Sequence, residues 1–377
     1  MRSLLASAAL AASLAAVAAA EVRPREDPPP RAQEPAPALP LAEVGPSPAR
    51  DDARAHAALQ RGLTWLATQQ SLSEDGAFAA AGGRQNVPVP VAALAALAFM
   101  AAGSAPDRGP HGANVGRAVD YLLARVDLVP GSPTLGYISS EGDGQSRMHG
   151  HAFATIALAQ AWSMSASTTR GRRVGEALAA AVGLMQRSQG LEGGWMYEPR
   201  RTIEHENSVT VVIVQALRAA RDAGVAVDAE VIARAVAYIR RCQLDDGSFR
   251  YSLGSGETSV ALTAAGLTTL NSAGVYEGPE IDRAIEALWR RLGLREDDPD
   301  QPARFPYYER FYLAQALWQH ADLRLYERWV ALELERVLAA QAEDGSWSDA
   351  QFGSCYATAM NCLFLAIPDG LLPIFQR

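Results

Sequence analysis

One unit recurs along most of this chain and dictates what it can fold into. Arg61-Gly62-Leu63-Thr64-Trp65-Leu66 runs on to Gln70 and then to Gly76-Ala77-Phe78. Arg234-Ala235-Val236-Ala237-Tyr238-Ile239 runs on to Gln243 and then to Gly247-Ser248-Phe249. Weaker copies close on Gln189 with Gly194-Trp195, and on Gln341 with Gly345-Ser346-Trp347. A degenerate copy starts at Arg117-Ala118 and ends near Gly136-Tyr137. Another starts at Arg283-Ala284 and lacks the Gln and the Gly-x-aromatic tail. The glycines set the period: Gly76 to Gly136 is 60 residues, Gly136 to Gly194 is 58, and Gly194 to Gly247 is 53. Gly247 to Gly345 is 98, which is two units of 49, so the degenerate copy fills that gap and the count is six. Internal repeats of this size signal stacked supersecondary units that share one core.

Each unit predicts a pair of helices. The first ends at the Gln or its equivalent, a loop carries Gly and an aromatic, and a more apolar second helix follows. The second helices are expected at 87–102, 150–165, 206–223, 257–273, 307–320 and 354–367. Several are apolar nearly all round, as in Val209-Thr210-Val211-Val212-Ile213-Val214, and such helices are buried on more than one side. The first helices are amphipathic: Val231, Ile232, Ala235, Tyr238 and Ile239 form one stripe. A buried helix paired with a half-exposed one, six times over, predicts two concentric rings. The fold class is therefore all-α, an (α/α)6 toroid of six helical hairpins. An open superhelix of the tetratricopeptide kind repeats at about 34 residues, far shorter than these units.

The Arg-Gly/Ala-x-x-aromatic-aliphatic-x-x-x-Gln…Gly-x-aromatic unit resembles the QW repeat of squalene and oxidosqualene cyclases. It is also similar to the repeat of protein prenyltransferase β subunits. The resemblance spans residues 50–367, closest in the first and fourth units. The stretch Tyr356-Ala357-Thr358-Ala359-Met360, with the terminal Leu372-Pro373-Ile374-Phe375-Gln376-Arg377, is similar to secreted bacterial proteins that hold a single toroid. The repeat's Gln, Gly and Trp or Phe are read as structural, with the aromatic packed between neighbouring units.

The ends of the chain carry other signals. Residues 1–20 hold Arg2, an apolar stretch from Leu4 to Val17, and Ala18-Ala19-Ala20 before Glu21, the layout of a secretory signal peptide. Residues 21–49 contain nine of the 22 prolines, which predicts a disordered tether. The toroid is expected over 50–377, in a protein exported to the periplasm or the extracellular space. No segment beyond the first twenty residues is apolar for long enough to span a bilayer. A net charge of −8 and a pI near 5.4 argue against a nucleic-acid partner. Cys355 and Cys362, seven residues apart on one helix, are about 10 Å apart along its axis, too far to bridge.

The candidate site residues gather at the starts of the second helices. Asn86, His149 with His151, Glu206 with Asn207, Glu257 with Thr258, Tyr307 with Tyr308 and Glu309, and Cys355 with Tyr356 occupy these positions. In a closed toroid these helices run the same way, so their starts form one polar mouth over an apolar well.

The run Glu204-His205-Glu206-Asn207-Ser208 resembles the Asp-rich run with which squalene-type cyclases protonate an alkene, with both carboxylates now Glu. That resemblance implies Glu206 as acid, with Glu204 and His205 beside it. A helix cap is the competing role, because acidic groups complement a helix N-terminus. Gly353-Ser354-Cys355-Tyr356 resembles part of the prenyltransferase zinc set, but Gly353 stands in the place of its Asp. His149 and His151, two residues apart, do not face one way. Accordingly no metal and no cofactor are expected.

Three functions fit these residues. One is a terpene-cyclase-like isomerase or lyase, or an isoprenoid- or lipid-handling protein, with its ligand in a central cavity. Another is a non-catalytic envelope scaffold. The third is a carbohydrate-active toroid with carboxylates across a cleft. Aromatics at only 7% weigh against carbocation chemistry, which needs cation–π walls.

Overall fold

The computed structural model describes residues 52–376 apart from 79–81, 142, 145, 166 and 298–302. The expected signal peptide and tether lie outside the described residues. Among the described residues twelve α-helices alternate between an outer and an inner ring. The outer helices are α1 (Ala53–Ser71), α3 (Gly112–Leu123), α5 (Thr169–Ser188), α7 (Ala229–Cys242), α9 (Pro279–Asp297) and α11 (Leu323–Ala339). The inner helices are α2 (Pro88–Ala101), α4 (Arg147–Ser165), α6 (Asn207–Asp222), α8 (Val260–Ser272), α10 (Pro306–Trp318) and α12 (Ser354–Ala366). Each inner helix packs on the next, and α12 packs on α2, so the ring is closed. Among the described residues only isolated β-bridges interrupt this all-helical plan. The fold is the (α/α)6 toroid that the repeat predicts.

Burial explains the two helix classes. Every residue of α2 from Val89 to Ala101 is buried, because neighbours press on it from all sides. On α7 only the stripe Val231, Ala235, Val236, Tyr238, Ile239 and Cys242 is buried. None of these helices is long and apolar enough to cross a membrane.

The repeat residues hold adjacent units together. Gln189, at the end of α5, donates its Nε2 protons to Gly193 O in its own turn and to Val231 O in the next unit, both at 2.8 Å. Its Oε1 accepts from Arg234, also in the next unit. Gln70 is tied in the same way to Gly76, Asn114 and Arg117, and Gln243 to Gly247, Glu280 and Arg283. The arrangement is selective. The second and fifth units have no Gln, with Val126 and Leu292 at its position, and the units after them have no Arg, with Ala180 and Leu332 in its place.

The turn glycine completes the joint. Gly193 has φ +97, and a Cβ there would lie 2.2 Å from Arg234 O. Gly76, Gly247 and Gly345 approach the carbonyls of Arg117, Arg283 and Arg61 in the same way. The turn glycine of the third unit is thus Gly193, one residue before the Gly194 that the sequence spacing suggested. Trp195 and Trp347 bridge the two helices of their own units. Each indole donates to an outer-helix carbonyl at 2.8 Å, and each backbone N–H donates to a threonine of the inner helix.

The centre of the ring is packed rather than hollow along much of its axis. Phe153 on α4 meets Phe311 on α10, from opposite units, with ring centroids 6.2 Å apart. Gln215 on α6 donates to Gln315 on α10 at 2.8 Å. At the end where the inner helices finish, the short 3-10 turn Pro373–Phe375 lies against α6. Phe375 is buried and packs on Phe311.

Candidate functional site

The loops that precede α6 and α8 lie side by side at the ring face where the inner helices begin, and Asn207 N donates to Tyr251 O at 2.8 Å. Between them lies a cleft of about 510 Å³. Glu192, Met196, Ile203, Glu204, His205 and Glu206 line it from the third unit. From the fourth unit come Tyr238 and the loop Tyr251 to Ser255, with Glu257. The cleft opens at the ring face where the sequence places its polar mouth, and lies between two loops.

Glu206 forms the buried floor of this cleft. It is the N-cap of α6, where one carboxyl oxygen accepts from Val209 N at 2.6 Å and the other from Ser208 N at 3.0 Å. The Ser208 hydroxyl also donates to it, at 2.7 and 2.8 Å. The side chain has no exposed surface. Burial pushes its carboxyl up to about 7, against the pull of the Ser208 hydroxyl and the two amides. An acid that holds its proton near neutrality is what removal of a carboxyl from water produces. Glu204 and Glu257, by contrast, are exposed on the rim. Glu257 does not cap α8. That role belongs to Ser259, whose side chain accepts from Leu262 N at 3.0 Å. Thr258 meets Arg291 instead.

His205 lies in the cleft wall with its Nε2 3.0 Å from Thr202 O and its ring edge-on to Tyr238. Burial lowers its pKa. Asn207 is fully buried and donates Nδ2 to Leu262 O at 3.1 Å, which joins the third and fourth units beneath the cleft.

The remaining candidates divide among three places. His149 reaches the mouth from α4, with Nε2 3.2 Å from the Ser208 hydroxyl. Burial pushes its imidazole down to about 4. His151 turns the other way into the core, where Nδ1 accepts from Ile138 N at 3.2 Å, and burial takes it down to about 3. The two histidines do not converge. Tyr308 reaches from α10 toward Ser208 O at 3.5 Å, which brings the second, third and fifth units together at the mouth. Tyr307 and Tyr356 pack edge to face at 6.0 Å over the join of the fifth and sixth units. Cys355 and Glu309 are buried apart from the cleft, and Asn86 is exposed. Among the described residues no group of His, Cys, Asp and Glu is placed to hold a metal.

Sequence reasoning missed Tyr197, Ser208, Tyr238 and Tyr251. Tyr197 and Tyr251 bond hydroxyl to hydroxyl at 2.9 Å. Each stands two residues after its repeat aromatic, in Trp195-Met196-Tyr197 and Phe249-Arg250-Tyr251. Trp347-Ser348-Asp349 lacks that tyrosine, so an aromatic-x-Tyr pattern marks the two units that build the cleft.

No family model matches the chain, and no curated protein matches it. Solved structures do. The type II terpene cyclase MstE from Scytonema is 14% identical, with 85% of this chain and 99% of that one covered at a TM-score of 0.54. A D-mannose isomerase is 12% identical, covering 86% and 99% at a TM-score of 0.59. An inactive variant of the α-1,6-mannanase GH76A of Salegentibacter sp. HEL1_6, in complex with α-1,6-mannotetrose, is 11% identical, covering 84% and 99% at 0.55. Terpene and carbohydrate chemistry thus occur on one architecture, and the likeness shows that this chain shares the (α/α)6 toroid.

Proposed function

We propose that this is a carbohydrate-active toroid whose site is the cleft between the third and fourth units. Glu206 is its acid, and the rim carboxylates Glu204 and Glu257 face the ligand. One contrast carries the reading. A buried carboxyl that keeps its proton near neutrality lies under an open cleft edged by exposed carboxylates. Glycoside chemistry asks for one protonated and one ionised carboxyl beside the same bond. Tyr251 adds an aromatic ring, and Ser252 and Ser255 add hydroxyls. Fold neighbours that act on mannose or a mannan support the same class.

An isoprenoid-handling role is the second reading. Its support is the Glu206 acid with Tyr197, Tyr251, Tyr308 and Tyr312 near enough to feel its charge. The fold likeness to a terpene cyclase adds to it. An isoprenoid chain needs an enclosed apolar chamber, whereas the cleft is open and edged with carboxylates and hydroxyls.

Saturation-transfer NMR with oligosaccharides and with a geranylgeranyl compound separates the two. The carbohydrate reading expects transfer to sugar protons, reduced by Tyr251→Ala. Transfer to the geranylgeranyl compound alone would remove it.

A further inference from the structure

The Glu206 carboxyl has no exposed surface, so its proton has to come and go through a bonded group. The amides of Ser208 and Val209 that bond to it cannot pass a proton at neutral pH. The Ser208 hydroxyl, at 2.7 and 2.8 Å, can. The same hydroxyl meets His149 Nε2 at 3.2 Å, which extends the chain from α6 to α4. The His149 ring packs on Tyr197 with centroids 5.7 Å apart, yet it is partly exposed. Its Nδ1 bonds to no described residue.

The chain has two consistent settings. A hydroxyl has one proton and two lone pairs. When Glu206 is ionised it only accepts, and as the charged acceptor it takes the Ser208 proton. His149 Nε2 then carries a proton and donates it to Ser208. When Glu206 is protonated, its O–H donates to Ser208 and the Ser208 proton turns to His149. Nε2 is then bare, and the ring proton sits on Nδ1. Either setting leaves one Ser208 lone pair for the Tyr197 hydroxyl, which reaches it and also bonds to Tyr251.

We infer that His149, acting through Ser208, is the proton relay of Glu206. This rests on Glu206 as the acid of the carbohydrate reading and deepens it. When the carboxylate is reloaded, Nδ1 takes a proton from water. The Nε2–H bond breaks as Ser208 Oγ gains that proton, and the former Ser208 proton forms the Glu206 O–H. One proton crosses, and Ser208 and His149 both end neutral, with the histidine in its other tautomer. Burial holds the imidazole down to about 4, so the proton is not trapped on it near neutrality. The groups that face the chain are tyrosines: Tyr197 and Tyr251 from the loops, Tyr238 from α7, and Tyr308 and Tyr312 from α10. All are raised above their ordinary value and neutral. The charged groups around them are the Arg147–Glu198 pair and Glu257, while His205 turns to Thr202.

Nitrogen NMR of the histidine-labelled protein tests this, with the infrared C=O band of the protonated Glu206 carboxyl followed on the same samples. Glu206→Gln assigns the band by removing it, and Glu206→Asp by moving it should the glutamine variant not fold. His149 is expected to pass from the Nδ1–H to the Nε2–H tautomer at the pH where the band is lost, about 7. Ser208→Ala should leave the band titrating, at a higher pH because a hydroxyl that favours the ion is gone, while the His149 tautomer no longer changes with it. Ser208→Thr, which keeps a hydroxyl, should restore the coupling. A helix cap alone would move melting temperatures and leave the tautomer fixed. A fixed tautomer in the natural protein, with the band still titrating, would overturn the relay and leave the acid standing. The same tautomer change in Ser208→Ala would overturn the path through Ser208. No carboxyl band below about pH 7 would remove the acid and the relay together.

Discussion

Arg61 and Gln341, 280 residues apart, join the first unit to the last. The Arg61 guanidinium donates to Gln341 Oε1, while Gln341 Nε2 donates to Ala58 O and to Gly345 O, each at 2.9 Å. This is the joint found between the third and fourth units, used once more to close the ring. A closed ring has no terminal unit left to fray, so every inner helix keeps neighbours on both sides.

The joints should differ in strength by burial. Gln70 and Gln189 are fully buried, whereas Gln243 and Gln341 are half-buried. Removing Gln189 takes a partner from two carbonyls and from the half-buried Arg234 guanidinium. Gln189→Ala should cost about 2–3 kcal/mol, and Gln341→Ala about 1 kcal/mol. Urea unfolding checks this, and equal losses would mean that the four joints are not graded by burial.

Much of this was legible because repeats write the same physics several times. Six helix pairs, their buried and amphipathic classes and ring closure all follow from Gln, Gly and aromatic spacing. Where a unit has the Arg, it reads locally as a solvated residue on an amphipathic helix. Its partner lies in the preceding unit, and only the matched loss of Gln at Val126 and Leu292 with Arg at Ala180 and Leu332 betrays the link. Glu257 looked like Glu206 because both precede a buried helix, yet Ser259 is the better-placed acceptor for a free amide. Which two units hold the cleft was hidden for another reason. It depends on the paths of two loops, and loop direction leaves no periodic trace.

Stability should respond to pH through opposed groups at the ring mouth and core. Glu206 is raised from 4.5 to about 7, so between those values the folded state binds more protons than the unfolded state. Its contribution therefore falls as pH rises, by on the order of 3 kcal/mol across that window. His149 and His151 are depressed from 6.5 to about 4 and about 3, so the folded state binds fewer protons there. Their contribution is lost as pH falls below 6.5. In Glu206→Gln only the histidine limb remains. The variant should lose stability more steeply than the natural protein between pH 7 and 4, and gain relative to it at pH 8. Parallel melting curves for the two proteins across pH 4–8 would show that Glu206 is not buried as an acid.

The thiols should be silent in the folded protein. Cys242, Cys355 and Cys362 are buried and unbridged. Burial raises the Cys242 thiol to about 11 and the Cys362 thiol above its usual range, so neither supplies thiolate at neutral pH. A thiol-reactive dye should count none in buffer and all three in denaturant. A count of one on unfolding would reveal the Cys355–Cys362 bridge that helix geometry forbids.

The last turn of the chain should behave as core. Terminal residues are inert in most domains because nothing holds them. Here Trp318 Nε1 donates to Phe375 O at 2.9 Å and Gln319 Nε2 to Ile374 O at 3.2 Å, at the finishing end of α10. These bonds press Phe375 onto Phe311, inside the ring and at the end away from the cleft. Phe375→Ala should therefore cost about 3–4 kcal/mol, as for a buried phenylalanine elsewhere. Gln376→Ala, on an exposed side chain one residue later, should be nearly neutral. Urea unfolding of both variants decides it. A loss below about 0.5 kcal/mol for Phe375→Ala, the range of ordinary surface substitutions, would mean that the tail does not seat in the ring.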